Sequence, residues 1–373
     1  MRVAPAEFHA ARFARLRERL SAESLTSVIV TSRPNIAYLT GFFGSAGVLI
    51  ATGEELRLIV DGRYTEAARR REQDLDAINI VMLPPGTAYE EVLAEQVGRA
   101  GAERVGFESS HITVGAHTDL SRRLHANGHQ PDLVSTDGLV ERLRATKDDW
   151  EVATLRDAGV RLSDAAKCII PKALAGIVES ELAAAIEQEL RRVGFAKPAF
   201  DTIVASGPNS AMPHYRSGDR RIGAGDLVVM DFGGMLDGYC VDLTRTVAVG
   251  TPDARQRRVL EQVGEAQASA FRAVVPGRAA EAIDECARGV LVREGIGDAF
   301  AHGTGHGLGL EIHERPRVGP RRAGQAPEPL EAGMVFTLEP GAYFPGWGGV
   351  RIEDDVLVTA SGAEWLTRGP QPA

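Results

Sequence analysis

The chain has little cysteine. Its 373 residues hold three, Cys168, Cys240 and Cys286, an odd number at no metal-ligating spacing, so the thiols read as free in a reducing cytoplasm. It also lacks an excess of positive charge: the formal net charge is −9, which gives no basic field to attract nucleic acid or an anionic membrane. No apolar run reaches the roughly 18 residues of a membrane span. The N-terminal MRVAPAEFHAARFARLRERL is interrupted by charge throughout and has no signal-peptide core. Several catalytic signatures are missing too. GTGHGLG does not satisfy G-x-G-x-x-G, no G-x-x-x-x-G-K-[ST] or G-x-S-x-G occurs, and His313-Glu314 is not followed by the second histidine of H-E-x-x-H. Nucleotide binding and serine hydrolysis are therefore unsupported. What remains is a globular cytoplasmic chain, 44% hydrophobic and 25% charged, long enough for two domains.

The two halves have different grammars. Over residues 1–135, short apolar runs (SVIV at 27–30, GVLI at 47–50, LRLIV at 56–60, INIVML at 78–83) alternate with charged helical segments such as TEAARRREQ and YEEVLAEQVGRA. That alternation predicts a small α/β domain. Dense charge over 141–157, with Trp150, Val152 and Leu155 at helical spacing, predicts a linker at 136–146 leading into the first helix of a second domain, 147–373. The five histidines His9, His111, His117, His125 and His129 lie in the first half and read as surface or packing residues.

The second half repeats itself. Helical patterns near 163–194 and 253–295 each precede glycine-rich loops and β-type runs; in the first, Ser180 is the expected N-cap, Leu182, Ile186, Leu190 and Val193 one apolar face, and Gly194 the stop. GDLVVMD and GMVFTLE each run from glycine to an acid six positions on, and Gly207 precedes His214 by seven positions as His306 precedes His313. The pattern suggests two similar half-units around a shared cleft.

Acids sit where a core should be. Asp231 ends an apolar run, and Asp242 lies in the Thr-rich run that returns, on the same face as Cys240, Thr244 and Thr246. Glu339 ends a later run and Glu353 lies within the next. A carboxylate among apolar residues must be paired or metal-bound, because burying it alone costs several kcal/mol. A salt bridge or strand cap would account for any one of these acids; four of them, beside the histidine-rich AHGTGHGLGLEIHE at 301–314, exceed that need. Acids plus histidine form a hard donor set suited to Mn²⁺ or Co²⁺ rather than a structural zinc site. Five ligands with bridging acids suit two ions about 3.5–4 Å apart.

FDTIVASGPNSAMPHY, MDFGGMLDGYCVDLTRT, HGTGHGLGLEIHE, TLEPG and GVRIED, in that order after SRPNIAYLTGF at 32–42, resemble the pita-bread metallopeptidases, in their creatinase, aminopeptidase P and prolidase branch. The resemblance spans nearly the whole chain. It implies a creatinase-like α/β N-terminal domain and an α+β pita-bread catalytic domain with a pseudo-twofold repeat. It also implies Asp231, Asp242, His306, Glu339 and Glu353 as ligands of two divalent ions, most often Mn²⁺, with Co²⁺ or Zn²⁺ as alternatives. His214 and His313 match histidines at the scissile region, His302 a pocket-lining histidine, and Arg351 an arginine beside the last ligand. Glu339 would manage the nucleophile's proton, His313 would stabilise the oxyanion, and His214 would assist the leaving proline nitrogen. The implied substrates are peptides with proline second, and a homodimer is implied as well. Without an evident insertion in the catalytic half, the expectation leans to an Xaa-Pro aminopeptidase over an Xaa-Pro dipeptidase. A metal-free creatinase-type hydrolase or a non-catalytic binding protein on the same fold would be expected to have lost ligands.

Overall fold

A computed structural model describes residues 1–324 and 326–370. The chain divides into two compact units, residues 2–144 and 145–373. The segment expected to be a linker is partly helical, because Glu141–Ala145 forms a short helix.

The first unit is built on a mixed six-stranded sheet. Its order is Ile78–Met82, Leu56–Val60, Val48–Thr52, Ser27–Val30, Arg104–Glu108 and Asp132–Thr136. The central strand Ser27–Val30 is fully buried, as its unbroken apolar and β-branched run requires. Glu108 is buried at the end of its strand and takes up the backbone N–H groups of Thr31 (2.6 Å) and Ser32 (2.7 Å) and the Asn35 amide (2.6 Å), which fixes the SRPN turn. Of the five histidines in this unit, His9 is buried and contacts the Tyr38 carbonyl at 3.2 Å.

The second unit carries a nine-stranded antiparallel sheet. Its main path runs Glu314–Val318, Gly305–Gly307, Val335–Leu338, Glu353–Val358, Tyr239–Ala248, Leu227–Leu236 and Lys197–Pro198. Helices Asp149–Ile169, Glu179–Arg192, Ala254–Ala273 and Ala280–Arg293 belong to the same unit. Two of them start on reciprocal capping boxes, Asp148 with Glu151 and Asp253 with Gln256. Ser180 is not an N-cap: the helix starts at Glu179, two residues earlier than that cap would place it, with Glu181 accepting from the Val178 N–H at 3.2 Å. The reason is that Glu179 is drawn into the interior by partners described below. Gly194 does end this helix, with φ +101°.

Alanine-rich faces of the last two helices (Val263, Ala266, Ala270, Ile283, Ala287, Leu291) share one core with Phe336, Leu338, Val350 and Val356. This core backs the central strands, so the polar site is built on a rigid floor. Trp347 packs its turn: it lies edge-on to Phe344, and Arg255 stacks over it at 4.0 Å.

Candidate metal centre

The long hairpin 227–248 supplies two acids. Its register places Thr244 opposite Asp231 and Gly233 opposite Asp242, so Asp231, Asp242 and Thr244 share one face. Strand Glu353–Val358 pairs with the same hairpin, Glu353 opposite Thr244, and Thr244 Oγ1 donates to Glu353 Oε2 at 2.5 Å. The strand Gly305–Gly307 brings His306 to this face from the other half. Gly305 and Gly307 are required there, because a Cβ on either would lie 1.8 Å and 2.0 Å from the carbonyl oxygens of Thr337 and Arg315.

The donor atoms of Asp242, His306 and Glu353 all lie within 4.8 Å of one another. Glu339, just past its strand, approaches His306 Nε2 at 3.6 Å and His302 Nδ1 at 4.0 Å. Arg351 donates to Asp231 Oδ2 and, at 2.8 Å, to the Tyr343 hydroxyl. His302 Nε2 reaches that same hydroxyl at 2.9 Å. The His306 and His313 rings lie 4.3 Å apart, edge to face. His313 and His214 are exposed, and His214 lies within electrostatic range of both His302 and His313.

The electrostatics are those of a site short of positive charge. Burial, with repulsion from Asp231, Asp355 and Glu339, holds the Asp242 carboxyl well above its ordinary range. Burial, then Asp242, Glu339 and Asp231, do the same to Glu353. Glu339 is pushed up to about 8 by burial, against the pull of Arg351. Burial lowers His306 and His302 to about 4, so both imidazoles are neutral at pH 7, the form that ligates metal. Asp231 Oδ1 and Asp242 Oδ1 are buried with no hydrogen-bond partner among the described residues. Orphaned acid oxygens, neutral imidazole and closely spaced hard donors fit a divalent cation, whose charge would relieve the repulsion.

Several residues of this neighbourhood escape sequence reading. Tyr343 ties Arg351 to His302, and Thr244 holds Glu353; both contacts depend on strand register, which apolar patterning does not reveal. Asp355 accepts the Asp242 N–H at 2.9 Å. A signal for Asp355 was present in the run of acids at 353–355, inside an otherwise apolar strand.

Fold and donor set together define a pita-bread metalloenzyme with a creatinase-like N-terminal domain. The chain belongs to metallopeptidase family M24: that family's sequence profile matches residues 153–360, and the creatinase/prolidase N-terminal domain matches residues 12–146. Among curated relatives, an Xaa-Pro dipeptidase from Pyrococcus horikoshii is 35% identical over 94% of this chain and 95% of its own. Among solved structures, an Xaa-Pro dipeptidase from Bacillus anthracis superposes with a TM-score of 0.90 at 33% identity, covering 97% of this chain and 98% of that one. An X-Pro aminopeptidase from Thermotoga maritima gives 0.85 at 31% identity, covering 96% and 98%.

Proposed function

We propose that this chain is a metal-dependent exopeptidase that cleaves the bond before a proline in second position, acting on Xaa-Pro dipeptides. The observation that carries the reading is the convergence of Asp242, His306 and Glu353 within 4.8 Å, with Asp231 and Glu339 beside them. In this reading the five residues hold two divalent ions, Mn²⁺ by preference. The ions supply Lewis-acid polarisation of a peptide carbonyl and a water acidified enough to react at neutral pH.

The chain's own groups divide the remaining work. Glu339 takes the proton of the attacking water at its carboxylate oxygen. His313 donates to the oxygen on which charge develops. His214, which is exposed, holds the substrate and passes the proton collected by Glu339 on to the departing proline nitrogen. His302, oriented by Tyr343 at 2.9 Å, lines the pocket, and Arg351 balances Asp231. An Xaa-Pro bond has no N–H to donate, so a site that works on the carbonyl and the leaving nitrogen suits it.

Sequence alone leaned to the aminopeptidase, on the absence of an insertion. Two observations favour the dipeptidase. Dipeptidases stand among the relatives both by sequence and by structure. In addition, Arg317 lies across from His306 in the antiparallel register, where cross-strand partners share a face; its guanidinium donates to Pro320 O at 2.8 Å, and in this reading it leaves that carbonyl to meet proline's free carboxylate. Assembly as a homodimer in the cytoplasm belongs to the same reading. The test is release of the first residue from Ala-Pro and from Ala-Pro-Ala by Mn²⁺-loaded protein. Dipeptide cleavage alone, weakened chiefly in KM by Arg317→Met, is the expected result. Efficient tripeptide cleavage unaffected by that change restores the aminopeptidase, and cleavage of neither overturns the proline reading.

A further inference from the structure

The two histidines placed at the substrate, His214 and His313, are exposed, yet the residue that follows each is drawn inward onto a buried charge. Tyr215 is half-buried and its hydroxyl accepts at 2.9 Å from the Asn209 amide that also donates to Glu179; Glu314 meets Lys147 Nζ at 2.8 Å, with side-chain exposures of 5% and 0%. We propose that Glu179 and Lys147 are positioning residues for this site, each fixing a substrate-side histidine by clamping its neighbour. This inference rests on the Xaa-Pro peptidase reading above.

Glu179 has no exposure and is an acceptor for donors that bracket the His214 loop. Before the histidine it takes the Ser206 N–H and Oγ, both at 2.7 Å, and the Asn209 amide at 3.1 and 3.2 Å. After it comes the Tyr215 hydroxyl, tied to Glu179 through the Asn209 amide, which donates to that hydroxyl at 2.9 Å. Because these partners all donate, a glutamine amide at 179 would set N–H against N–H. The loop is also pinned from the far side, since the Arg351 guanidinium donates to Pro213 O at 3.4 Å.

Lys147 does the equivalent in the other half. Its ammonium donates to Glu314 and to Ala145 O at 3.3 Å. The loop between His306 and His313 folds onto this pair so closely that a Cβ at Gly309 would lie 2.4 Å from Glu314 Oε1. Gly309 O in turn accepts the Cys240 N–H at 2.7 Å, which docks the loop on the strand bearing Asp242. A single buried ion pair is weak evidence of purpose, because apolar replacements are often neutral. The same device one residue after each histidine, in two half-units with different chemistry, is what points to positioning.

Double-mutant cycles on the full-length Mn²⁺-loaded protein test this, with kcat and KM measured on Ala-Pro. Tyr215→Phe, the mild variant that spares the carboxylate, and Glu179→Gln are combined with His214→Ala; Lys147→Met and Glu314→Gln are combined with His313→Ala. Each clamp variant is expected to lower kcat/KM about 10- to 100-fold with bound metal unchanged, and to add less than about threefold once its own histidine is gone. Crossed pairs, such as Tyr215→Phe with His313→Ala, are expected to multiply. Losses that multiply equally in matched and crossed pairs would overturn the proposal, as would clamp variants with unaltered kcat/KM. Should the unvaried protein cleave no Xaa-Pro peptide, the peptidase reading fails on its own. The clamps are then judged by NMR of the histidine rings: Tyr215→Phe must shift the His214 signals and leave those of His313 in place, and unmoved His214 signals reject the clamp.

Discussion

Arg351 donates to one oxygen of the Asp231 carboxylate while the other, Oδ1, is buried with no hydrogen-bond partner among the described residues. The same guanidinium holds Tyr343 and contacts Thr244 Oγ1 at 3.3 Å. In a cluster of buried acids it is therefore the counter-charge that the fold itself provides.

Arg351→Met should destabilise the metal-free protein by roughly 3–5 kcal/mol, the cost of leaving a buried charge without its partner. Urea unfolding after chelation reads the effect directly. An unchanged midpoint would mean that Asp231 is compensated by another group.

Metal uptake should strengthen with pH. Burial raises Glu339 to about 8 and holds Asp242 and Glu353 above their ordinary range, so below pH 8 the incoming ion must displace protons. Each displaced proton weakens binding by up to about 1.4 kcal/mol per pH unit. The metal-free fold follows the opposite sign. For an acid raised by folding, the native state binds the extra proton, so its stability contribution is full below the unfolded value and is lost as pH rises toward 8. Calorimetric titration with Mn²⁺ in two buffers of different ionisation enthalpy would count the protons released; no release would contradict the charge description of the site.

The thiols should differ in reactivity. Cys168 is exposed, whereas Cys240 is buried and its thiol is pushed up to about 12, chiefly by burial. Iodoacetamide at pH 8 is expected to alkylate Cys168 in the native protein and Cys240 only after unfolding, because the thiolate is the reactive form. Peptide mass mapping decides, and early labelling of Cys240 would show that its strand opens.

Much of this was legible in the chain, and the reasons are local. A run such as SVIV could be read as a strand because a strand buried on both faces needs near-continuous β-branched sequence. Asp231 and Asp242 stood out because acids inside apolar runs are costly unless partnered. Glu179 and Lys147 did not stand out: each sits among charged neighbours in sequence, at Glu179–Glu181 and Lys147–Asp149, and only folding separates the buried member from the solvated ones. Ser180 misled for the same reason. It is a good capping residue next to a glutamate whose interior partners set where the helix begins.

We propose above that Asp242, His306 and Glu353 form a metal site on which peptidase activity depends. The most direct measurement takes chelator-stripped wild-type protein and Asp242→Ala, adds Mn²⁺, and reads bound metal and Ala-Pro hydrolysis on the same samples. Metal should restore turnover in the wild type, and Asp242→Ala should bind less metal and lose activity by about 10²–10³-fold, on the scale of removing a principal catalytic electrostatic group. Near wild-type turnover by Asp242→Ala, or hydrolysis by stripped protein without metal, would contradict it.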